Sequence, residues 1–260
     1  MRVAVLGLGE AGSVYAGDLA ARGAMVAGVD PRVRPELPGV RQVPTIAEAV
    51  DGAEVVLSLV GGEASTTALD EALPSMGDGA LYADLNTSHP DTKRALAARA
   101  AERGIPFSDI AILAPVGRAR IETDLLVSGA ATPRLLDVLR GVGIPAADAG
   151  PEPGAAAGRK LLRSVFMKGL AALVLESATA ADAVGARDWV MGQIAAEFGD
   201  GGERFVERLL DGTRRHAVRR EAEMRDVAAY LESLDAAHPM TDGTVQWLRT
   251  VAADPALPAR

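Results

Sequence analysis

The first thirty residues constrain the fold more than any other stretch. The apolar run Met1-Arg2-Val3-Ala4-Val5-Leu6 leads straight into Gly7-Leu8-Gly9-Glu10-Ala11-Gly12. Val14, Leu19 and Ala20 follow at helical spacing ahead of Gly23, and a second apolar run, Met25 to Val29, ends in Asp30. Strand, G-x-G-x-x-G, helix, strand, acid is the order of a dinucleotide-binding βαβ unit. Gly7 permits the tight turn, Gly9 lets a pyrophosphate approach the backbone, and Gly12 lets the helix pack close to the strand. Leu8, Glu10 and Ala11 complete the loop, and the helix N-terminus offers unpaired N–H groups to the phosphates. Asp30 falls about 20 residues downstream, where a carboxylate accepts the ribose hydroxyls of NAD. Arg32 and Arg34 follow at once, with guanidinium forks suited to a 2′-phosphate, so NAD is the expected cofactor with NADP as the alternative.

Charge and composition narrow the function classes. A formal net charge of −8 argues against a nucleic-acid partner, which wants a basic footprint. No run approaches the length of a membrane span, and the apolar start is short for a signal peptide and broken by glycines and Glu10. With no cysteine there is neither a disulfide nor a thiolate metal site, and His89, His216 and His238 are too scattered to suggest a metal centre. These features fit a cytoplasmic protein. Of 27 basic residues only Lys93, Lys160 and Lys168 are lysines. Arginine keeps its proton under working conditions, whereas a buried lysine can act as acid or base.

Up to residue 150 strands and helices alternate. Glu54 to Val60, Ala80 to Asp84, Phe107 to Leu113, Asp124 to Ser128 and Ile144 to Ala147 read as strands. Ile46 to Val50, Ser65 to Leu73, Pro90 to Arg103 and Pro133 to Leu139 read as helices. This predicts a largely parallel, doubly wound Rossmann domain over residues 1–153. Gly150-Pro151-Glu152-Pro153-Gly154 reads as a linker to an all-α domain over residues 154–260, with no further strand. Ala155 to Val184 reads as one long helix, rich in Ala and Leu on every side and so expected to be buried all round. Trp189 to Phe198, the Arg/Glu-alternating stretch Glu203 to Leu234, and Thr241 to Ala253 follow, with Pro255 and Pro258 making a loose tail.

Four motifs, in order, resemble those of the β-hydroxyacid dehydrogenase family, the group of 3-hydroxyisobutyrate and 6-phosphogluconate dehydrogenases. Gly7 to Gly12 matches the cofactor loop. Asp84-Leu85-Asn86-Thr87-Ser88-His89-Pro90 resembles the D-x-S-T-x-x-P substrate loop, with Asn86 in place of Ser. Phe107-Ser108-Asp109 and Ala114-Pro115-Val116 resemble F-x-D-A-P-V with an insertion, and the S-G-G that follows in the family is Gly117-Arg118-Ala119 here. Gly154 to Lys160 resembles the glycine-rich entry to the helix bearing the catalytic lysine, and the family's Asn four residues later is Ser164. The second half resembles a branch with a poorly characterised helical domain, through Lys160-Leu161-Leu162, Met167 to Leu170 and His216 to Arg220.

The resemblance implies an NAD(P)-dependent oxidoreductase that moves a hydride between nicotinamide and a small hydroxy acid or its keto form. It assigns proton transfer to Lys160, and a lysine serves there if burial and nearby positive charge lower its pKa. Lys160, Ser164 and Lys168 are spaced to share one helical face, with Ser164 taking the place of the substrate-binding Asn. Lys168 would lend a positive field and attract an anionic substrate. Asn86 and Thr87 are expected to face nicotinamide and substrate, Val60 and Gly61 to line the cofactor, and His216 and Arg219 to bind the substrate anion. His89 is expected to be a loop residue rather than a base. The family's interlocked subunits imply a homodimer built mainly by the helical domain. Imine reduction and dinucleotide binding without turnover are the rival readings.

Overall fold

The computed structural model describes residues 1–253, so the tail with Pro255 and Pro258 lies outside the described residues. The chain divides into two compact units, Met1–Lys160 and a second that starts at Leu161. The first opens with β1 (Arg2–Leu6), α1 (Glu10–Ala21), β2 (Met25–Val29), the three-residue β3 (Val40–Gln42) and α2 (Ile46–Val50). Next come β4 (Val55–Ser58), α3 (Ser65–Ala72), β5 (Leu81–Asp84) and α4 (Pro90–Glu102). Then β6 (Phe107–Ile112), the one-turn α5 (Val116–Ala119), β7 (Leu125–Ser128), α6 (Thr132–Gly141) and β8 (Ala146–Asp148) complete the series.

One eight-stranded sheet runs in the order β3-β2-β1-β4-β5-β6-β7-β8. Its pairings are parallel except that β7 runs against β6. The order reverses between β1 and β4, the switch point where ligands sit outside the carboxyl ends of strands. Both faces are covered, which is why the strands read as continuous apolar runs. Val3 and Val5 of β1 join Tyr15 and Leu19 in one core, while Ala4 and Leu6 join Leu69 and Leu96 in the other. Pro90 occupies the first turn of α4, and His89 caps it by accepting the Asp91 N–H at 3.2 Å.

The second unit is helical throughout the described residues. The long α7 (Ala155–Asp182) leads into it, followed by α8 (Arg187–Glu197), α9 (Gly202–Arg215), α10 (Ala217–Ser233) and α11 (Pro239–Ala253). No helix among the described residues is long and apolar enough to cross a membrane.

Several elements differ from the sequence reading. The short β3 and α5 carry too few residues for a periodic signal, and the last strand lies at Ala146–Asp148 because Ile144 packs into the core ahead of it. The stretch 203–234 breaks at His216 into α9 and α10, at a residue with φ −125° and ψ 24° and with no Gly or Pro to announce it. The first compact unit runs to Lys160, with Ala156 packed against Ala111 and Ala149. Nor is α7 buried all round: Leu162, Phe166 and Leu173 form an open stripe, with Phe166 65% exposed.

Candidate active site

The loop after β1 is shaped by contacts that only glycine allows. Gly7 has φ +88°, and a Cβ there would lie 2.5 Å from the Leu59 carbonyl oxygen. A Cβ on Gly12 would lie 1.8 Å from the Gly7 oxygen, so α1 and the turn touch backbone to backbone. Gly9 differs: a Cβ there would meet nothing within 4 Å, among the described residues. Gly9 precedes α1 and no side chain caps the helix. An open, uncapped helix N-terminus beside a bare backbone is the cradle a pyrophosphate needs, so these residues fit a dinucleotide. Glu10 and Ala11 form the first turn of α1. Leu8 contributes backbone geometry only: its side chain is buried, and its N–H goes to Asp30 Oδ2 at 2.8 Å.

Asp30 is therefore fastened to the loop it serves. Its Oδ1 accepts the N–H groups of Arg32 at 2.8 Å and Val33 at 3.1 Å. Partial burial opposes its charge, yet these amides and the Arg32 guanidinium hold the carboxyl below its ordinary pKa. The Arg32 and Arg34 side chains are exposed.

A second cluster forms where β4 and β5 end. Gly61, at φ +96°, donates its N–H to Asn86 Oδ1 at 2.7 Å, and Asn86 Nδ2 donates to Ser58 Oγ at 3.0 Å and to Asp84 Oδ1. The Asn86 side chain is thus buried and engaged at both ends, which corrects the expectation that it faces substrate. It braces the two strand ends. Gly62 allows the same close approach, since a Cβ there would lie 2.6 Å from the Thr87 carbonyl oxygen. Val60, beside it, packs partly into the second core. Thr87 is exposed, and its Oγ1 accepts a hydrogen bond from Lys160 Nζ at 2.9 Å.

Lys160 sits in the second turn of α7, whose start is anchored to the sheet. Ala156 N–H donates to Ser128 Oγ at 3.0 Å and Ala157 N–H to Asp109 Oδ2 at 2.9 Å, satisfying two amides that helix geometry leaves unpaired. Gly154, at φ +90°, presses the chain against α4: a Cβ there would lie 2.7 Å from the Pro90 oxygen. Ser58, Asp109 and Ser128 were not singled out as site residues by the sequence. Ser58 and Ser128 are signalled only as polar residues inside apolar strands, whereas Asp109 also lies in the F-x-D segment of the resemblance.

Within the second unit, Lys168 Nζ lies 3.2 Å from Ser164 Oγ and 3.2 Å from Glu223 Oε2. Arg219 meets Glu223 Oε1 at 3.1 Å, one turn along α10. Burial lowers the Lys168 pKa, with Arg220 and Arg219 adding to it against a partial offset from Glu223. The expected free positive field of Lys168 is thereby reduced, because a carboxylate sits against it. Arg220 donates to the buried Thr213 Oγ1 at 2.6 Å. His216 is exposed at the junction of α9 and α10.

The family described as the NAD binding domain of 6-phosphogluconate dehydrogenase matches residues 2–143. The chain belongs to that family. Residues 181–251 match a domain of unknown function. A conserved hypothetical protein from Sinorhizobium meliloti 1021 is 30% identical, with a TM-score of 0.78 over 100% of this chain and 90% of that one. The 3-hydroxyisobutyrate dehydrogenase of Mycobacterium tuberculosis shares the fold at 19% identity, with a TM-score of 0.81 over 98% and 95% of the two chains. An imine reductase of Myxococcus stipitatus, solved with NADP+, does so at 19% identity and a TM-score of 0.63, over 99% and 96%. No curated protein sequence matches. Family and loop geometry together make the first unit an NAD(P)-binding domain of an oxidoreductase.

The two glycines separate binding from folding. Gly9→Ala is expected to unfold as the wild type does but to weaken NAD(P)H binding about tenfold or more, through the Cβ at the phosphate approach. Gly12→Ala should cost about 1–3 kcal/mol of stability, by overpacking against Gly7. Fluorescence titration and denaturant unfolding of both variants check this, and normal cofactor affinity in Gly9→Ala would contradict the assignment.

Proposed function

We propose that the protein transfers a hydride between nicotinamide and a small anionic hydroxy acid or its keto form, with Lys160 handling the hydroxyl proton. The observation that carries this reading is the Lys160 Nζ to Thr87 Oγ1 hydrogen bond of 2.9 Å, in the loop braced against Gly61. In the oxidising direction the Lys160 amine takes the proton from the substrate hydroxyl, and in the reducing direction its ammonium returns a proton to the carbonyl oxygen. Thr87 holds the Lys160 nitrogen and leaves its own hydroxyl proton to orient the substrate oxygen. Bound nicotinamide supplies or accepts the hydride. Gly7, Gly9, Gly12 and the first turn of α1 would hold its pyrophosphate and Asp30 its ribose.

Within the second unit, Lys168, Arg219 and Arg220 gather three cations around Glu223, and Lys168 and Arg219 are assigned to the substrate's anion on the resemblance. His216 and Ser164 remain assigned on the resemblance. Imine reduction is the rival reading, favoured by the shared fold. A lysine at position 160 favours the hydroxy acid, whose hydroxyl needs a proton acceptor. The open stripe of Leu162, Phe166 and Leu173 supports a homodimer built mainly by the second unit. Sedimentation at micromolar concentration tests the dimer, and a lone 26.8 kDa species would refute it.

Asp30 bears on cofactor choice. Three backbone amides lock it in place and ionised, which favours the 2′-hydroxyl of NAD over a phosphate, while Arg32 and Arg34 point to solvent. Asp30→Ala should shift the preference towards NADP, and Arg32→Ala should change little. Ratios of kcat/KM for the two cofactors decide this. A preference for NADP that disappears in Arg32→Ala would show that the arginines override the acid.

Lys160→Ala should lower kcat by about 10²–10⁴-fold, the usual worth of a positioned acid or base, with NAD(P)H affinity nearly unchanged. Steady-state kinetics on hydroxy acids and cyclic imines, alongside cofactor titration, provide the check. Near-wild-type turnover in the variant would remove the assignment.

A further inference from the structure

Strands β5 and β6 pair in a register that sets Asp84 beside Asp109, and both carboxylates are fully buried. Like charges side by side in a sheet repel, and buried ones call for a cation. Lys93, from α4, provides it with a side chain that is 0% exposed. Its Nζ lies 3.0 Å from Asp109 Oδ1 and 3.3 Å from Asp84 Oδ2, and donates to the Asp84 carbonyl oxygen at 3.0 Å. One hydrogen bond to the Asp84 carbonyl and two ion-pair contacts to carboxylate oxygens surround the ammonium. Burial opposes its charge, but the two carboxylates outweigh burial and hold the Lys93 pKa above its ordinary value.

Each carboxylate also grips one half of the Lys160–Thr87 pair. Asp84 Oδ1 accepts the Asn86 N–H at 3.0 Å and the Asn86 side-chain amide, so it shapes the loop that reaches Thr87. Asp109 Oδ2 accepts the Ala157 N–H at 2.9 Å and the Ser128 hydroxyl at 3.3 Å, so it fixes the first turn of the helix that carries Lys160. The proton-handling lysine and its threonine partner belong to different segments. Lys93 is what joins the anchors of the two.

We infer that Lys93 is a positioning residue, whose buried ammonium clamps the Thr87 loop to the start of α7 and so sets the Lys160–Thr87 contact. Its catalytic consequence rests on the proton-transfer reading of Lys160, whereas the clamp itself does not. The site suits a compact ammonium on a flexible stem, and the wider planar guanidinium of arginine does not match three oxygens around one nitrogen. This gives a physical reason for a lysine here in a chain that otherwise uses arginine.

The test compares wild type with Lys93→Met and with Lys93→Met/Asp109→Asn. The double variant removes one charge of each sign and keeps an oxygen for the Ala157 amide, so it serves where the single variant fails to fold. Amide hydrogen exchange over residues 84–90 and 155–162 should accelerate about tenfold or more, while the β1–α1 segment keeps its protection. With substrate, kcat should fall about 100-fold, the scale of an ångström-level misplacement, with KM changed by less than about threefold. Thr87→Val should then add little in the Lys93→Met background, because both changes break the same contact.

Unchanged exchange in the two segments overturns the inference. So does a uniform rise across the first unit with wild-type kcat, which is the signature of a pair that only stabilises. If the wild type turns over neither hydroxy acids nor imines, the proposed function fails, and the exchange pattern alone decides the clamp.

Discussion

The start of α7 depends on two hydrogen bonds to the sheet, from Ala156 N–H to Ser128 Oγ and from Ala157 N–H to Asp109 Oδ2. A cap of this kind contributes about 1 kcal/mol, and a bond to a charged acceptor about 1.5–3 kcal/mol. Their effect on geometry is larger than their effect on stability. They fix the first turn of α7 against the sheet, and so where its second turn presents Lys160. The Thr87 loop, the Asn86 brace and the glycine contacts at Gly62 and Gly154 complete the surroundings of that one amine.

The cofactor half of the fold was legible because its signals are local. Gly7, Gly9, Gly12 and Asp30 lie within one βαβ unit, where strand, turn and helix each leave their own mark on a short window. The strand ends were legible in place but not in role. Whether Asn86 turns outward or inward depends on Ser58 and Gly61, which meet it only through the pairing of β4 with β5. Lys93 stood out as one of three lysines, yet its partners come from two other strands, and no spacing along the chain relates them. The break at His216 carried no glycine or proline. The open stripe on α7 could not be placed from composition, because apolar residues on every side of a helix do not say which side the rest of the chain covers.

Charge in the second unit follows a similar lesson. The resemblance casts Lys168 and Arg219 as groups that attract an anion. Glu223 reaches both Lys168 and Arg219, so much of their charge is met inside the unit. Arg219 keeps an exposed side chain, whereas Lys168 and Arg220 are partly buried.

The reversal of β7 has a further consequence. Ser128 faces Asp109 only because the antiparallel ladder pairs those two residues, with Ile110 opposite Val127 and Ile112 opposite Leu125. Side chains alternate between faces along a strand, so a one-residue slip of β7 would turn Ser128 to the opposite face and leave the Ala156 amide without its acceptor. The placement of the first turn of α7 is thus encoded as a register, in the half of the sheet that carries no cofactor loop. Insertions in the dinucleotide loops leave that register untouched.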